Sequence, residues 1–328
     1  MRTINTKKYT LESKKYLKDK HSLNLGYWFI ILMSTILLLN CGEKTISTKE
    51  KTQVICTTGV IADAMKNILP ASFEVNTLMG PGVDPHTYKS KTSEMKELMN
   101  ADAIIYNGIH FEANLIEAIN TIGENSFVLG LGDMVPKERL RNTNEFGTNY
   151  DPHFWHDVNL FATSIKLAGE ELSSEFPKSK LYIDSATTAY TKELFTVEKY
   201  VNYEITKIPD SLKVLITAHD AFGYYGKAFG IEVQGVQGIS TASDISIRGI
   251  KELKDYIISR KIPSIFVENS VSEKNIKAVI EGCKDQGLDL KIGGTLYSDG
   301  LGDKKSGAET YIKMIKKNTN TIVSALSK

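Results

Sequence analysis

The stretch from Pro177 to Pro209 reads PKSKLYIDSATTAYTKELFTVEKYVNYEITKIP and decides the architecture of the chain. Neither glycine nor proline interrupts its interior, and its apolar side chains recur mainly every three or four residues. That spacing predicts one long helix over residues 178–208, which at 1.5 Å per residue would span roughly 45 Å. The alternative is two shorter helices that break near Ser185 to Thr188. The apolar positions are Leu181, Ala186, Tyr190, Leu194, Val197, Val201, Ile205 and Ile208.

Strand-like apolar runs alternate with helical patterns on both sides of this segment. The alternation predicts an α/β fold with two lobes, each a mainly parallel sheet flanked by helices, joined by the long helix. We place the N-terminal lobe at residues 53–177 and the C-terminal lobe at residues 209–328. Strands are predicted near residues 53–57, 73–79, 103–107, 127–131, 213–217, 231–236, 263–267 and 290–296. Helices are predicted near residues 60–69, 93–100, 112–122, 157–176, 221–228, 244–260, 272–286 and 306–326.

The N-terminal segment has the pattern of an export signal. A basic region precedes the apolar run from Leu23 to Leu39, which ends in Leu-Leu-Asn-Cys at Cys41 and resembles a bacterial lipobox. We therefore predict a signal peptide over residues 1–41, lipidation of Cys41 and a flexible tether over residues 42–52. The alternative is an uncleaved membrane anchor, because the run is at the lower length limit for spanning a bilayer. Both alternatives place the rest of the chain outside the cytoplasmic membrane.

The composition indicates a globular protein and argues against nucleic acid as its partner. The 328 residues are 41% hydrophobic and 24% charged, as expected of a globular protein, and the formal net charge is +1. The basic excess lies in residues 1–41, so the remainder is slightly acidic and has no basic face for nucleic acid. The three cysteines do not form a disulfide framework, and Cys56 and Cys283 are predicted to be buried.

Four potential metal ligands lie next to predicted strand ends or helix starts. His86 lies in a proline- and glycine-rich loop, His153 directly precedes a helix capped by Asp157, and His219 and Asp299 follow strands. Ligands of open α/β sheets bind beyond the carboxyl ends of the strands, so both lobes would face one cleft. Three imidazoles and a carboxylate can complete a shell for Zn²⁺, and also suit Mn²⁺ or Fe²⁺ if the carboxylate chelates or a water molecule joins the shell. Such a shell favours Zn²⁺ over Mn²⁺, and its affinity should fall as the pH drops through about 6.5.

Several motifs resemble the zinc/manganese solute-binding family of ABC importers, cluster A-I. They are PGVDPHTY at residues 81–88, DPHFW at 151–155, TAHDAFGY at 217–224 and LYSD at 296–299, in the family's order and spacing. The resemblance implies His86, His153, His219 and Asp299 as the metal ligands, two from each lobe. It also implies a Zn²⁺ or Mn²⁺ cargo, an ABC permease as partner and no enzymatic activity. We expect a monomer that is lipid-anchored on the outer side of the cell membrane.

Three further residues are candidates around this site. Glu268 could hydrogen-bond a ligating histidine from behind, as metal-bound imidazoles usually require. His156 lies three residues after His153, but the cap at Asp157 lets the two histidines point away from one another. His110 follows a predicted strand and could approach the cleft, although a structural or surface role is the alternative.

Two other functions compete with metal capture. In a zinc hydrolase, three histidines would hold the ion, water would take the fourth position and Asp299 would act as general base. A surface adhesin of the same fold is the other alternative. The sequence contains no His-Glu-x-x-His motif and no Gly-x-Ser-x-Gly motif, which disfavours the hydrolase.

Overall fold

The computed structural model describes residues 51–123, 126–143, 150–242 and 246–327. The predicted signal peptide, Cys41 and most of the predicted tether lie outside these ranges. Within them, no helix combines the length and the apolar character that crossing a membrane requires.

The first lobe contains a four-stranded parallel sheet flanked by helices. Its elements are β1 (Thr52–Thr58), β2 (Phe73–Met79), β3 (Ala103–Tyr106), β4 (Phe127–Gly130), α1 (Gly59–Ile68), α2 (Thr92–Asn100) and α3 (Ile116–Ile122). The strand order is β2-β1-β3-β4, and every pairing is parallel. β1 and β3 lie in the centre of the sheet, and their apolar runs, residues 54–56 and 103–106, are buried as expected for central parallel strands. The carboxyl ends of all four strands therefore meet at one edge.

Helix α3 begins at Ile116, so its predicted start at residue 112 is wrong. Gly108, Ile109 and His110 have positive φ angles of 79°, 53° and 58°. A right-handed helix requires negative φ, so no helix can run through these three residues. The Glu112 carboxylate accepts hydrogen bonds from the backbone N–H of Asn107 at 2.7 Å and of Gly108 at 3.3 Å. These bonds fix a tight turn that ends at Glu112, and the helix begins only four residues after it.

Two antiparallel helices, α4 (Val158–Glu175) and α5 (Lys180–Ile205), connect the lobes. The Asp157 carboxylate caps α4 by accepting from the backbone N–H of Leu160, as predicted. Helix α5 is continuous over 26 residues, which confirms the single long helix and excludes the break near Ser185. Its rise corresponds to roughly 39 Å.

The buried face of α5 differs at one end from the predicted face. Ile183 is fully buried, whereas Leu181 is 87% exposed. Ile183 lies three or four residues from the next buried position, as do the buried positions that follow it. Leu181 lies only two residues before Ile183 and therefore falls outside this spacing. The buried side chains are Ile183, Thr187, Tyr190, Leu194, Val197, Val201 and Ile205.

The second lobe contains two pairs of parallel strands. Its elements are β5 (Val214–His219), β6 (Glu232–Gln237), β7 (Ser264–Glu268), β8 (Lys291–Leu296), α6 (Gly223–Phe229), α7 (Ile247–Arg260), α8 (Lys274–Lys284) and α9 (Tyr311–Leu326). β5 pairs with β6, β7 pairs with β8, and β5 lies against β7. Helix α9 starts five residues later than predicted. Gly307 has a φ of +70°, which a right-handed helix does not allow. The Thr310 hydroxyl then caps the helix by accepting a hydrogen bond from the backbone N–H of Lys313.

The two lobes share one apolar core. A continuous cluster runs from Met65 on α1 through Leu194 on α5 to Phe222 and Ile315 in the second lobe. The N-terminus of α9 also binds back to the first lobe, since the Tyr311 N–H donates to Asp63 Oδ2 at 2.9 Å. Lys51–Lys328 accordingly form one compact unit. The lobe boundaries at residues 177 and 209 stay a prediction.

Candidate metal centre

The structure brings His86, His153, His219 and Asp299 together in the cleft between the lobes. His86 lies in the loop after β2, and His153 directly precedes the short turn that leads into α4. His219 is the last residue of β5, and Asp299 follows β8. One potential ligand atom of each residue lies within 4.8 Å of the others, so the group could hold a metal ion.

The four side chains point their polar atoms at a common centre. The Nε2 atoms of His86 and His153 are 3.2 Å apart. The Asp299 carboxylate lies 3.3 Å from His153 Nε2 through Oδ1 and 3.3 Å from His219 Nε2 through Oδ2. Three of the residues are at most 1% exposed, and His86 is 8% exposed.

Two atoms of this group have no hydrogen-bond partner in the part of the chain that the structure describes. His219 Nε2 and Asp299 Oδ1 are buried and lack bonds of acceptable geometry, although each lies within ion-pair distance of a neighbour. An unsatisfied buried polar atom costs about 1 to 3 kcal/mol, so native proteins rarely leave one without a reason. A cation at the centre would give both atoms a partner.

Carboxylates behind the rings orient two of the imidazoles. Asp151 Oδ1 lies 2.7 Å from His153 Nδ1 and accepts from the backbone N–H of the same histidine at 2.9 Å. Glu268 does the same for His219, with its carboxylate 2.6 Å from Nδ1 and 3.0 Å from the backbone N. When Nδ1–H donates to the carboxylate, the lone pair of Nε2 faces the centre, where a metal would bind it.

Arg141 balances the charge of Asp151. Its guanidinium contacts the buried Asp151 carboxylate through Nη1 and lies 3.6 Å from Asp220 through Nη2. The Tyr224 hydroxyl donates to the Asp151 carbonyl at 2.8 Å and accepts from the Arg141 backbone N–H at 2.9 Å. A Cβ at Gly223 would collide with the guanidinium, so the start of α6 must be glycine for Arg141 to pass.

Aromatic rings shield the group from solvent. The Phe111 ring lies 5.0 Å from the His86 ring and 5.7 Å from the His153 ring, between centroids. Trp155 lies 5.3 Å from the His153 ring, and its Nε1 donates to the Ser298 carbonyl, next to Asp299. These apolar surroundings strengthen each electrostatic contact at the centre.

The surroundings shift the pKa values of the four groups in different directions. Burial lowers the pKa of His86 to about 3. Burial also disfavours the charged form of His153, but its hydrogen bond to Asp151 and the nearby carboxylates raise its pKa to about 8. Burial likewise lowers the pKa of His219, but the charges of Glu268 and Asp299 outweigh this effect and raise it well above the usual value. Burial raises the pKa of Asp299, but the nearby positive charges of His219 and His153 hold it well below its usual range.

Two other histidines lie outside the group. His156 is buried, but its Nε2 lies 3.0 Å from the Ser298 carbonyl and its ring packs on Phe222 at 4.4 Å between centroids. His110 is exposed and lines a cleft of about 510 Å³ beside His86. Sequence reasoning assigned no role to Asp151 or Arg141. The position of Asp151 in the Asp-Pro-His motif, two residues before His153, could have indicated its role. The role of Arg141 is visible only from its contacts in the folded structure.

Comparison with known proteins places the chain in a family. Residues 54–325 match the model of the family described as zinc-uptake complex component A, periplasmic. The chain is 39% identical over 303 residues to the manganese-binding lipoprotein MntA of Bacillus subtilis, covering 92% of this chain and 99% of that protein. It is 29% identical over 313 residues to the manganese ABC transporter substrate-binding lipoprotein PsaA of Streptococcus pneumoniae, covering 93% and 99%.

A solved structure agrees with these sequence matches. The periplasmic zinc-binding protein TroA of Treponema pallidum superposes with a TM-score of 0.81 and 38% identity, covering 85% of this chain and all of that chain. Sequence family, fold and the buried group of three histidines and an aspartate point to one assignment. The chain belongs to the family of the periplasmic zinc-uptake complex component A.

Proposed function

We propose that this protein captures one divalent transition metal ion, zinc or manganese, outside the cytoplasmic membrane and delivers it to an ABC import permease. The observation that carries the proposal is the convergence of four buried ligand residues, two of whose polar atoms have no hydrogen-bond partner among the described residues. The ligands are His86, His153, His219 and Asp299. The names of the relatives MntA, TroA and PsaA, which specify manganese or zinc binding, support the same cargo.

The chemistry of capture follows from the donor set. Three imidazole nitrogens and one carboxylate oxygen replace the water shell of the ion, in the tetrahedral arrangement that Zn²⁺ prefers. Mn²⁺ fits if both oxygens of Asp299 bind it. Asp151 and Glu268 hold two of the rings in place before the ion arrives, which reduces the entropy lost on binding.

A binding protein fits the geometry better than a hydrolase does. Asp299 lies within ion-pair distance of both His153 and His219, and therefore at the position of a fourth ligand. A hydrolase needs that position for water. The family assignment also favours binding over the hydrolase and the adhesin, since the family is defined by an uptake complex.

The remaining parts of the proposal concern anchoring and assembly. Residues 1–41 form a signal peptide with its lipobox, and cleavage before Cys41 removes residues 1–40. Lipid on Cys41 then holds the protein at the membrane, and residues 42–52 are the tether. The folded part is a monomer with lobes at 53–177 and 209–328 and the linking helix at 178–208. The word lipoprotein in the names of MntA and PsaA supports the anchor.

Native mass spectrometry of protein extracted from membranes without chelators tests the proposal in one preparation. We expect a monomer that lacks residues 1–40, carries acyl chains on Cys41 and holds one zinc or manganese ion. Acid denaturation should release the ion and leave the acyl mass in place. A chain that retains residues 1–40 would contradict the lipid anchor, and one that binds no divalent metal even after incubation with Zn²⁺ would contradict the function.

A further inference from the structure

The carboxylate of Asp84 receives three hydrogen bonds, one of which crosses the cleft. Oδ1 accepts from the backbone N–H of His86 at 3.0 Å. Oδ2 accepts from the hydroxyl of Thr87 at 2.9 Å and from the hydroxyl of Thr241 at 2.7 Å. Asp84 and Thr87 belong to the loop that carries His86, whereas Thr241 belongs to the second lobe. Asp84 therefore ties this loop to the opposite wall of the cleft.

Thr241 is in turn attached to the strands that carry His219. The side-chain amide of Gln237 donates to the Thr241 carbonyl at 2.7 Å. Gln237 is the last residue of β6 and is paired in register with His219, the last residue of β5. Hydrogen bonds thus connect the backbone of His86 to the strand pair of His219 entirely through protein groups.

His86 depends on its loop more than the other two histidines depend on their backbone. Carboxylates bind Nδ1 of His153 and of His219, but no described residue bonds Nδ1 of His86. Among the described residues, the ring of His86 has one hydrogen-bond contact, between its Nε2 and Nε2 of His153. His86 is also the most exposed of the four and lines the open cleft. The position of its ring is consequently set by the path of residues 81–87.

We propose that the Thr241–Asp84 hydrogen bond is a positioning contact that holds His86 toward the other three ligands and slows metal release. The inference rests on the proposed metal-binding function. Because the lobes share one core, the loop of His86 can open with far less disruption than the lobes can separate. Breaking the contact removes a hydrogen bond that holds the loop to the second lobe, so His86 can leave the ion before the other three ligands do.

Thr241 and Thr87 provide a matched pair for the test, since both hydroxyls donate to the same oxygen of Asp84. Thr241→Val removes the bond that crosses the cleft, and Thr87→Val removes one within the loop. Release of Zn²⁺ into excess chelator, followed by stopped flow, should be about tenfold faster in Thr241→Val, as expected for loss of a hydrogen bond to a charged group. Thr87→Val should stay within about threefold of the unmodified protein, and Thr241→Ser should restore slow release.

Each outcome separates this contact from the function itself. If the unmodified protein binds Zn²⁺ but Thr241→Val releases it at the unmodified rate, the positioning role is wrong and the function stands. If Thr87→Val and Thr241→Val accelerate release equally, the effect lies in the loop and not in the contact across the cleft. If the unmodified protein binds no metal, the proposed metal-binding function is wrong, and the positioning role falls with it. Thermal melts of the metal-free variants show whether folding is preserved.

Discussion

Replacing Asp299 or His219 by alanine should weaken Zn²⁺ binding by about a hundredfold to a thousandfold. Structural zinc sites with four ligands bind with roughly 10 to 16 kcal/mol, so each ligand carries about 2.5 to 4 kcal/mol on average. The site is buried, and the rings of Phe111 and Trp155 that pack on its histidines offer no ligand atom to replace either side chain. The affinity is measured by competition with a chromophoric chelator, since direct titration saturates at such strengths.

The control for this experiment is His110→Asn. His110 lines the same cleft and is exposed, and asparagine tolerates its positive φ of 58°. We expect the zinc affinity of this variant to match that of the unmodified protein. Unmodified affinity in His219→Ala would exclude the four-ligand assignment, as would an equal loss in His110→Asn.

Zinc affinity should fall by about a hundredfold to ten-thousandfold between pH 8 and pH 6, because bound protons compete with the ion. In the metal-free protein, the pKa of His153 is raised to about 8 and that of His219 is raised well above its usual value. Each such ring must lose a proton to coordinate, which costs about a factor of ten per pH unit below its pKa. His86, with a pKa of about 3, is neutral throughout and contributes nothing to this slope.

Calorimetry in buffers of different ionisation enthalpy measures the protons directly. We expect between one and two protons released per Zn²⁺ at pH 7, with the number decreasing as the pH rises past 8. The sequence alone predicted the decline near pH 6.5, the pKa of an isolated imidazole. The carboxylates of Asp151, Glu268 and Asp299 shift the window upward. Zero proton release at pH 7, with a flat affinity from pH 8 to pH 7, would contradict the raised pKa values.

The sequence predicted the architecture where the signal was periodic and local. Helix α5 follows from the 31 residues between Pro177 and Pro209, which include neither glycine nor proline, and the capped start of α4 follows from Asp157. The start of α3 was wrong because the carboxylate of Glu112 binds the backbone of Asn107 and Gly108, which no pattern of apolar residues reveals. Leu181 was wrongly placed on the buried face because an apolar residue near a helix end can point to solvent.

The candidate ligands were predictable for a different reason. His86, His153, His219 and Asp299 lie in motifs whose order and spacing resemble a known family, and the structure places them in one cleft. The supporting contacts are specified by tertiary packing. Arg141 reaches Asp151 and Asp220 only because Gly223 leaves space for its guanidinium, and these residues are far apart in the sequence.

The shared core has a consequence for release of the ion. Wide separation of the lobes would expose the apolar cluster that links α1, α5 and α9, at a cost of about 25 cal/mol for each Å² exposed. Movement of the loop that carries His86 breaks few contacts by comparison. We therefore expect a permease to trigger release through loops at the cleft and to leave the long helix in place.

Anomalous diffraction from crystals grown with Zn²⁺ tests the central claim most directly. Data collected above and below the zinc absorption edge should show one strong peak in the cleft, with nitrogen atoms of His86, His153 and His219 at about 2.0 to 2.1 Å and Asp299 oxygen at about 2.0 to 2.2 Å. A peak that is bound by three histidines and water, with Asp299 outside coordinating distance, would contradict the closed shell of a binding protein. Absence of a peak between these four residues would contradict the proposed metal centre itself.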